Sequence, residues 1–129
     1  MLASVWSGGL NGLQGYPVHI EVDCAPGLPY WEIVGLPDAA VKESKERVRS
    51  ALRNSGFEYP NGRIIVNMAP ADMRKEGPLY DLAIAVGVLK VSGQLEPGAW
   101  EQALFFGELS LNGDVRPVNG VLPMVISAL

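Results

Sequence analysis

The sequence predicts an α+β domain, a mixed sheet with helices packed on one face. Three observations carry this. Val18, Ile20, Val22 and Cys24 alternate with His19, Glu21 and Asp23, the period-2 pattern of a half-buried antiparallel strand. Residues 38–54 carry a helical apolar stripe between a start and a stop signal. The order β-β-β-α-β-α-β-β-α inserts helices into runs of strands instead of alternating strictly, which favours α+β over a doubly wound sheet.

Taken in order, Leu2 to Trp6 is short and β-favouring, and Gly8, Gly9, Gly12 and Gly15 predict a Gly-rich turn over 8–15. The alternating strand follows, is broken by the AlaProGlyLeuPro run at 25–29, and gives way to extended structure over Trp31–Val34. Asp38 is placed to cap a helix ending at Asn54–Ser55–Gly56. At 100° per residue Val41, Val48, Ala51 and Leu52 share its apolar stripe, while Lys42, Lys45, Arg49 and Arg53 share an adjacent one. Residues 63–68 read as a strand. Residues 78–91, opening on Pro78, read as a central buried helix apolar nearly all round. Residues 103–118 predict a hairpin turning at Asn112–Gly113, and the apolar run from Val121 to Leu129 a last helix without a cap.

A chain of 129 residues has room for one ordinary domain, so a single domain over 1–129 is expected. Hydrophobic residues at 48% against 19% charged exclude a disordered chain. Ten Lys+Arg against 14 Asp+Glu, net −4, exclude a globally basic nucleic-acid footprint. Cys24 is the only cysteine, which leans towards a reducing compartment and a cytoplasmic location. The first 20 residues lack the basic flank of a signal peptide, and their glycines and Pro17 interrupt any membrane span.

Candidate chemistry is sparse. No GxxxxGK[ST] is present; Gly35 to Lys42 lacks the second glycine and the following Ser/Thr, so no phosphate cradle forms by that route. His19, Glu21 and Asp23 share a strand face, but at about 7 Å spacing they grip one ion poorly, and a solvated face is the simpler reading. Asp72, Glu76 and Asp81 cluster where a loop enters a helix; complementing the helix dipole outweighs Mg²⁺ binding there. The basic stripe could track a phosphate backbone. Glu43 and Glu46 interrupt it, and a solvated face with intrahelical pairs is the competing reading.

Two strings add a resemblance. GluIleValGlyLeuProAspAlaAlaValLysGluSer (32–44) and IleValAsnMetAlaProAlaAspMetArgLysGluGly (65–77), followed by AspLeuAlaIleAla (81–85), resemble the ComM/YifB family of bacterial AAA+ ATPases, called magnesium chelatase-like. The resemblance covers the whole chain and corresponds to that family's N-terminal domain, which is similar to the proteolytic domain of Lon and to the C-terminal domain of RadA. It implies the fold of the second domain of ribosomal protein S-five, and a chain cut before an absent ATPase module. Nothing in the sequence looks like a porphyrin site.

Lon carries a Ser–Lys dyad. In this chain LysGluGlyProLeuTyrAsp (75–81) puts Leu79 at the serine position, and ValArgProValAsnGlyValLeu (115–122) puts Leu122 at the lysine position. Leucine can neither attack nor take a proton, so no catalytic residue is expected, and the apolar pair is expected to fill the former cleft. The resemblance further implies a parent that forms hexameric ATP-driven rings and migrates branched DNA in natural transformation and recombination. ATP and Mg²⁺ belong to the absent module, with no cofactor or metal in this segment and no membrane partner. Expected partners are further copies of the chain and branched or single-stranded DNA. Lys42, Lys45, Arg49 and Arg53 are the first candidates for DNA contact, Arg74 and Lys75 the second. A pure protein-interaction module and an active Lon-like peptidase are the alternatives.

Overall fold

A computed structural model describes residues 1–96 and 98–128. Four strands, β1 (Leu2–Asn11), β2 (Gln14–Ala25), β3 (Tyr30–Val34) and β4 (Arg63–Ala69), form a mixed sheet in the order β1-β2-β4-β3. β1 and β2 are an antiparallel hairpin with Val5 opposite Ile20; β2 and β4 are antiparallel, and β3 lies parallel to β4 at the sheet edge. The alternation at 18–24 sets the faces: Val18, Ile20 and Val22 are fully buried beside Val5, Ile64, Val66 and Met68.

That face is covered by α2 (Ser44–Asn54) and α3 (Asp81–Val91). Val41, Val48, Ala51 and Leu52, the predicted apolar stripe, are all buried, as are Ala83, Ile84 and Val88 of α3. Gly87 lets α3 settle on the sheet, since a Cβ there would come within 2.6 Å of Val22 Cγ2.

The structure departs from the sequence reading in four places. Gly8 and Gly9 belong to β1 and Gly15 to β2, so the turn shrinks to Gly12 and Leu13. These glycines are packing positions: a Cβ on Gly9 would lie 2.6 Å from Tyr16 Cζ and 2.8 Å from the Tyr80 hydroxyl, and one on Gly15 would collide with the Pro123 carbonyl. The expected single helix over 38–54 breaks at Glu43 into α1 (Ala39–Lys42) and α2. Asp38 does cap α1, accepting from the Val41 amide at 2.8 Å. The break has a partner: the Arg47 guanidinium donates to the Ala40 carbonyl at 2.6 Å, which an unbroken helix would give to the Ser44 amide.

The predicted hairpin is shorter, β5 (Glu108–Leu109) pairing with β6 (Val115–Arg116) across a five-residue loop that contains Asn112–Gly113. Finally, the helices do not share one face. α4 (Val121–Ser127) packs on the reverse side of the β1–β2 hairpin, where Met124 lies against Gly8 and Pro123 against Gly15, positions whose Cβ vectors point away from the Val5 face. Met124 is fully buried yet stands apart from the main hydrophobic cluster. Among the described residues no helix is long and apolar enough to cross a membrane.

Candidate functional site

The basic stripe survives the break between α1 and α2. Lys42 and Arg53 are exposed, and Lys45 and Arg49 half-buried. Arg49 pairs with Glu46 at 2.6 Å, and Arg53 lies over the Tyr59 ring at 5.8 Å. Burial pushes the Tyr59 hydroxyl up to about 12, against the pull of Arg49 and Arg53. Among the described residues Lys42, Lys45 and Arg53 make no ion pair. Arg74 is exposed beside Lys42 in a shared hollow and pairs with Glu76 at 3.3 Å. Sequence reasoning missed Arg63, which lies over the Tyr30 ring at 5.2 Å on the edge of the sheet. The RIIVNM string gave it only the role of a strand start.

Lys75 is a correction. Its side chain is fully buried, with Nζ donating to the Gly35 carbonyl at 2.8 Å and to the Pro70 carbonyl. Burial lowers its pKa, with Asp72 pulling the other way. An amine committed to two backbone carbonyls is not available to an external phosphate. Around it the two resemblance-bearing strings meet: Asp38 N–H donates to Lys75 O at 2.9 Å, Lys75 N–H to Leu36 O at 3.0 Å, and Gly77 N–H to Asp38 Oδ2 at 3.1 Å. The two strings therefore build one knot that anchors the start of α1 on the loop after β4.

Arg47, the fifth cation of the helical pair, points inward. It grips the fully buried Asp81 in a forked contact, 2.6 Å from Nε to Oδ2 and 3.1 Å from Nη2 to Oδ1, and the Leu109 amide adds a third bond at 3.0 Å. Burial pushes the Asp81 carboxyl up while Arg47 and Leu109 pull it back. Asp81 is thus separated from Asp72 and Glu76, which stay on the surface. On the reverse sheet face Glu21 accepts from Asn67 at 3.0 Å, Asp23 lies 3.6 Å from the N-terminal ammonium, and His19 stacks on Trp6 with centroids 4.5 Å apart. Among the described residues no group of three His, Cys, Asp or Glu side chains could hold a metal ion.

Leu79 and Leu122, expected to fill one cleft together, are not brought together. Leu79 is partly buried against the core, whereas Leu122 is 70% exposed on α4, beside Leu13, Pro123 and Ile126.

The family model for subunit ChlI of Mg-chelatase matches residues 20–129. The chain belongs to this magnesium chelatase-like family. It is 48% identical over 127 residues to competence protein ComM of Haemophilus influenzae, covering 98% of this chain and 25% of that protein. It is 44% identical over 118 residues to YifB of Escherichia coli, covering 92% and 23%. A more distant likeness, 31% over 87 residues, is to Lon protease 2 of Bacillus subtilis, covering 67% of this chain and 15% of that protein. The chain spans about a quarter of the length of the ComM and YifB proteins it matches. The family and its relatives support a segment of a magnesium chelatase-like AAA+ protein.

Proposed function

We propose that this chain is a non-catalytic domain of a cytoplasmic, DNA-remodelling AAA+ ATPase, with a Lon-protease-like fold, that supports ring assembly and guides DNA. The nucleotide and Mg²⁺ chemistry belongs to the rest of such a protein. The observation that carries the DNA part is the row of accessible cations on α1 and α2, where Lys42, Lys45, Arg49 and Arg53 gather on a domain whose net charge is −4. Four of the ten basic residues lie on the outer side of these two short helices, Arg47 being paired with Asp81, so an anionic polymer meets a local cluster of cations despite the acidic whole. Arg74 extends the row past Lys42. The name of the ComM relative, a competence protein, favours DNA as the polymer.

Peptide hydrolysis is not part of the proposal. A Ser–Lys mechanism needs an oxygen nucleophile and an amine base, and the aligned positions hold Leu79 and Leu122. A serine-directed acylating probe is expected to leave the protein unlabelled; stoichiometric labelling would restore the peptidase reading.

The DNA reading is tested on the full-length protein by titrating a branched oligonucleotide at several salt concentrations. Four phosphate contacts on duplex arms give a log–log salt slope of roughly −3.6, and Arg49→Glu with Arg53→Glu should cut it to about half while weakening binding at low salt. Binding unchanged at low and moderate salt sinks the reading and leaves a pure protein-interaction module.

A further inference from the structure

The open edge of β3 faces a cleft that no part of the described chain fills. β3 is the last strand of the sheet and has a partner only in β4. Tyr30 donates its amide to Gly62 O at 3.2 Å, so the even-numbered residues of β3 turn their backbone groups towards β4. In a parallel pair the alternate residues then turn both N–H and C=O away. Trp31 and Ile33 thus present two donors and two acceptors along the free edge.

The cleft beside them is lined by Trp31, Glu32, Ile33, Lys42 and Lys45, and Lys42 also lines the adjoining hollow that ends at Arg74. The edge strand forms one wall and α1–α2 the other. Two further features give the cleft a chemical sign. Lys42 and Lys45 make no ion pair among the described residues, while Glu32, the one carboxylate in the lining, is held by the Tyr30 hydroxyl at 3.0 Å. Trp31, which lines the cleft, keeps its indole N–H buried with no acceptor among the described residues, an unpaired donor that costs free energy.

The geometry points to this cleft as a docking groove for an extended acidic polypeptide segment, which adds to β3 as a fifth strand and sets its carboxylates against Lys42 and Lys45. Strand addition between an edge strand and a helix uses the edge's alternating donors and acceptors for affinity and the flanking side chains for selectivity. A nucleic-acid strand fits the edge worse. Phosphate oxygens only accept, and would face the outward carbonyls of Trp31 and Ile33 without a donor to offer. This inference shares Lys42 and Lys45 with the DNA reading and differs from it in needing the backbone of β3.

The test uses an alternating Glu-Val peptide and this chain, with amide hydrogen exchange read residue by residue. Binding is expected to protect the Trp31 and Ile33 amides. Methylating alternate peptide nitrogens should weaken binding by about tenfold or more, and so should Lys42→Glu with Lys45→Glu. Protection that is indifferent to N-methylation, or absent at Trp31 and Ile33, overturns the inference. So does an oligonucleotide that protects the same two amides in place of the peptide.

Discussion

Lys75 is an amine without water, held by the carbonyls of Gly35 and Pro70 on two different loops. Lys75→Met would keep the volume and strip both carbonyls of their donor. It is expected to cost about 1–3 kcal/mol, read as a lower thermal midpoint. The folded pKa lies below the ordinary 10.5, so in the window up to 10.5 the unfolded chain holds more protons and stability attributable to this group rises with pH. The deficit of Lys75→Met should therefore widen as pH climbs through that window. Tyr59 works in the opposite sense. Its hydroxyl is pushed from 10.0 to about 12, so the unfolded chain loses its proton first and stability falls between those values. Urea unfolding at stepped alkaline pH should show that fall, and Tyr59→Phe should flatten it. Neither residue was legible from sequence. A lysine in a string of charged residues reads as surface until the loop that carries it is closed over it by Asp38.

At the scale of elements, α1 depends on Asp38, whose carboxylate serves the Val41 amide and the Gly77 amide together. Asp38→Ala removes a cap and a loop anchor in one change and should cost about 1–2 kcal/mol by chemical denaturation, with Asp38→Asn recovering much of it. α4 depends on a position outside itself. At Gly15 the sheet passes so close to the Pro123 carbonyl that any side chain must displace the helix. Gly15→Ala is expected to release α4, raising amide exchange over 121–127, while α3 amides stay protected. Equal loss in both helices would mean that α4 is integral to the main core. The glycines of the first hairpin mislead a sequence reading because turn and close approach use the same residue for different reasons. The first needs left-handed φ, as at Gly12; the second needs only the absence of Cβ, as at Gly9 and Gly15.

Across the whole molecule, charge and apolar surface are segregated. Cations collect on α1 and α2, while Leu13, Leu122 and Ile126 leave an apolar patch around α4 on the far side of the hairpin. The sequence by itself determined the buried alternation of β2 and the buried stripe of α1 and α2. A period of two or of 3.6 is written by solvent, one residue at a time, and needs no distant partner to be read. It also pointed to the family, through the strings at 32–44 and 65–77. Tertiary structure alone decided which polar groups were spent inside. It took Lys75 and Arg47 inside, turned α4 to the reverse face, and left the outward backbone groups of Trp31 and Ile33 without a strand partner among the described residues. Those outcomes depend on segments far apart in sequence meeting, from 34 residues for Arg47 and Asp81 to the opposite ends of the chain for Gly8 and Met124, a pairing that no local pattern encodes.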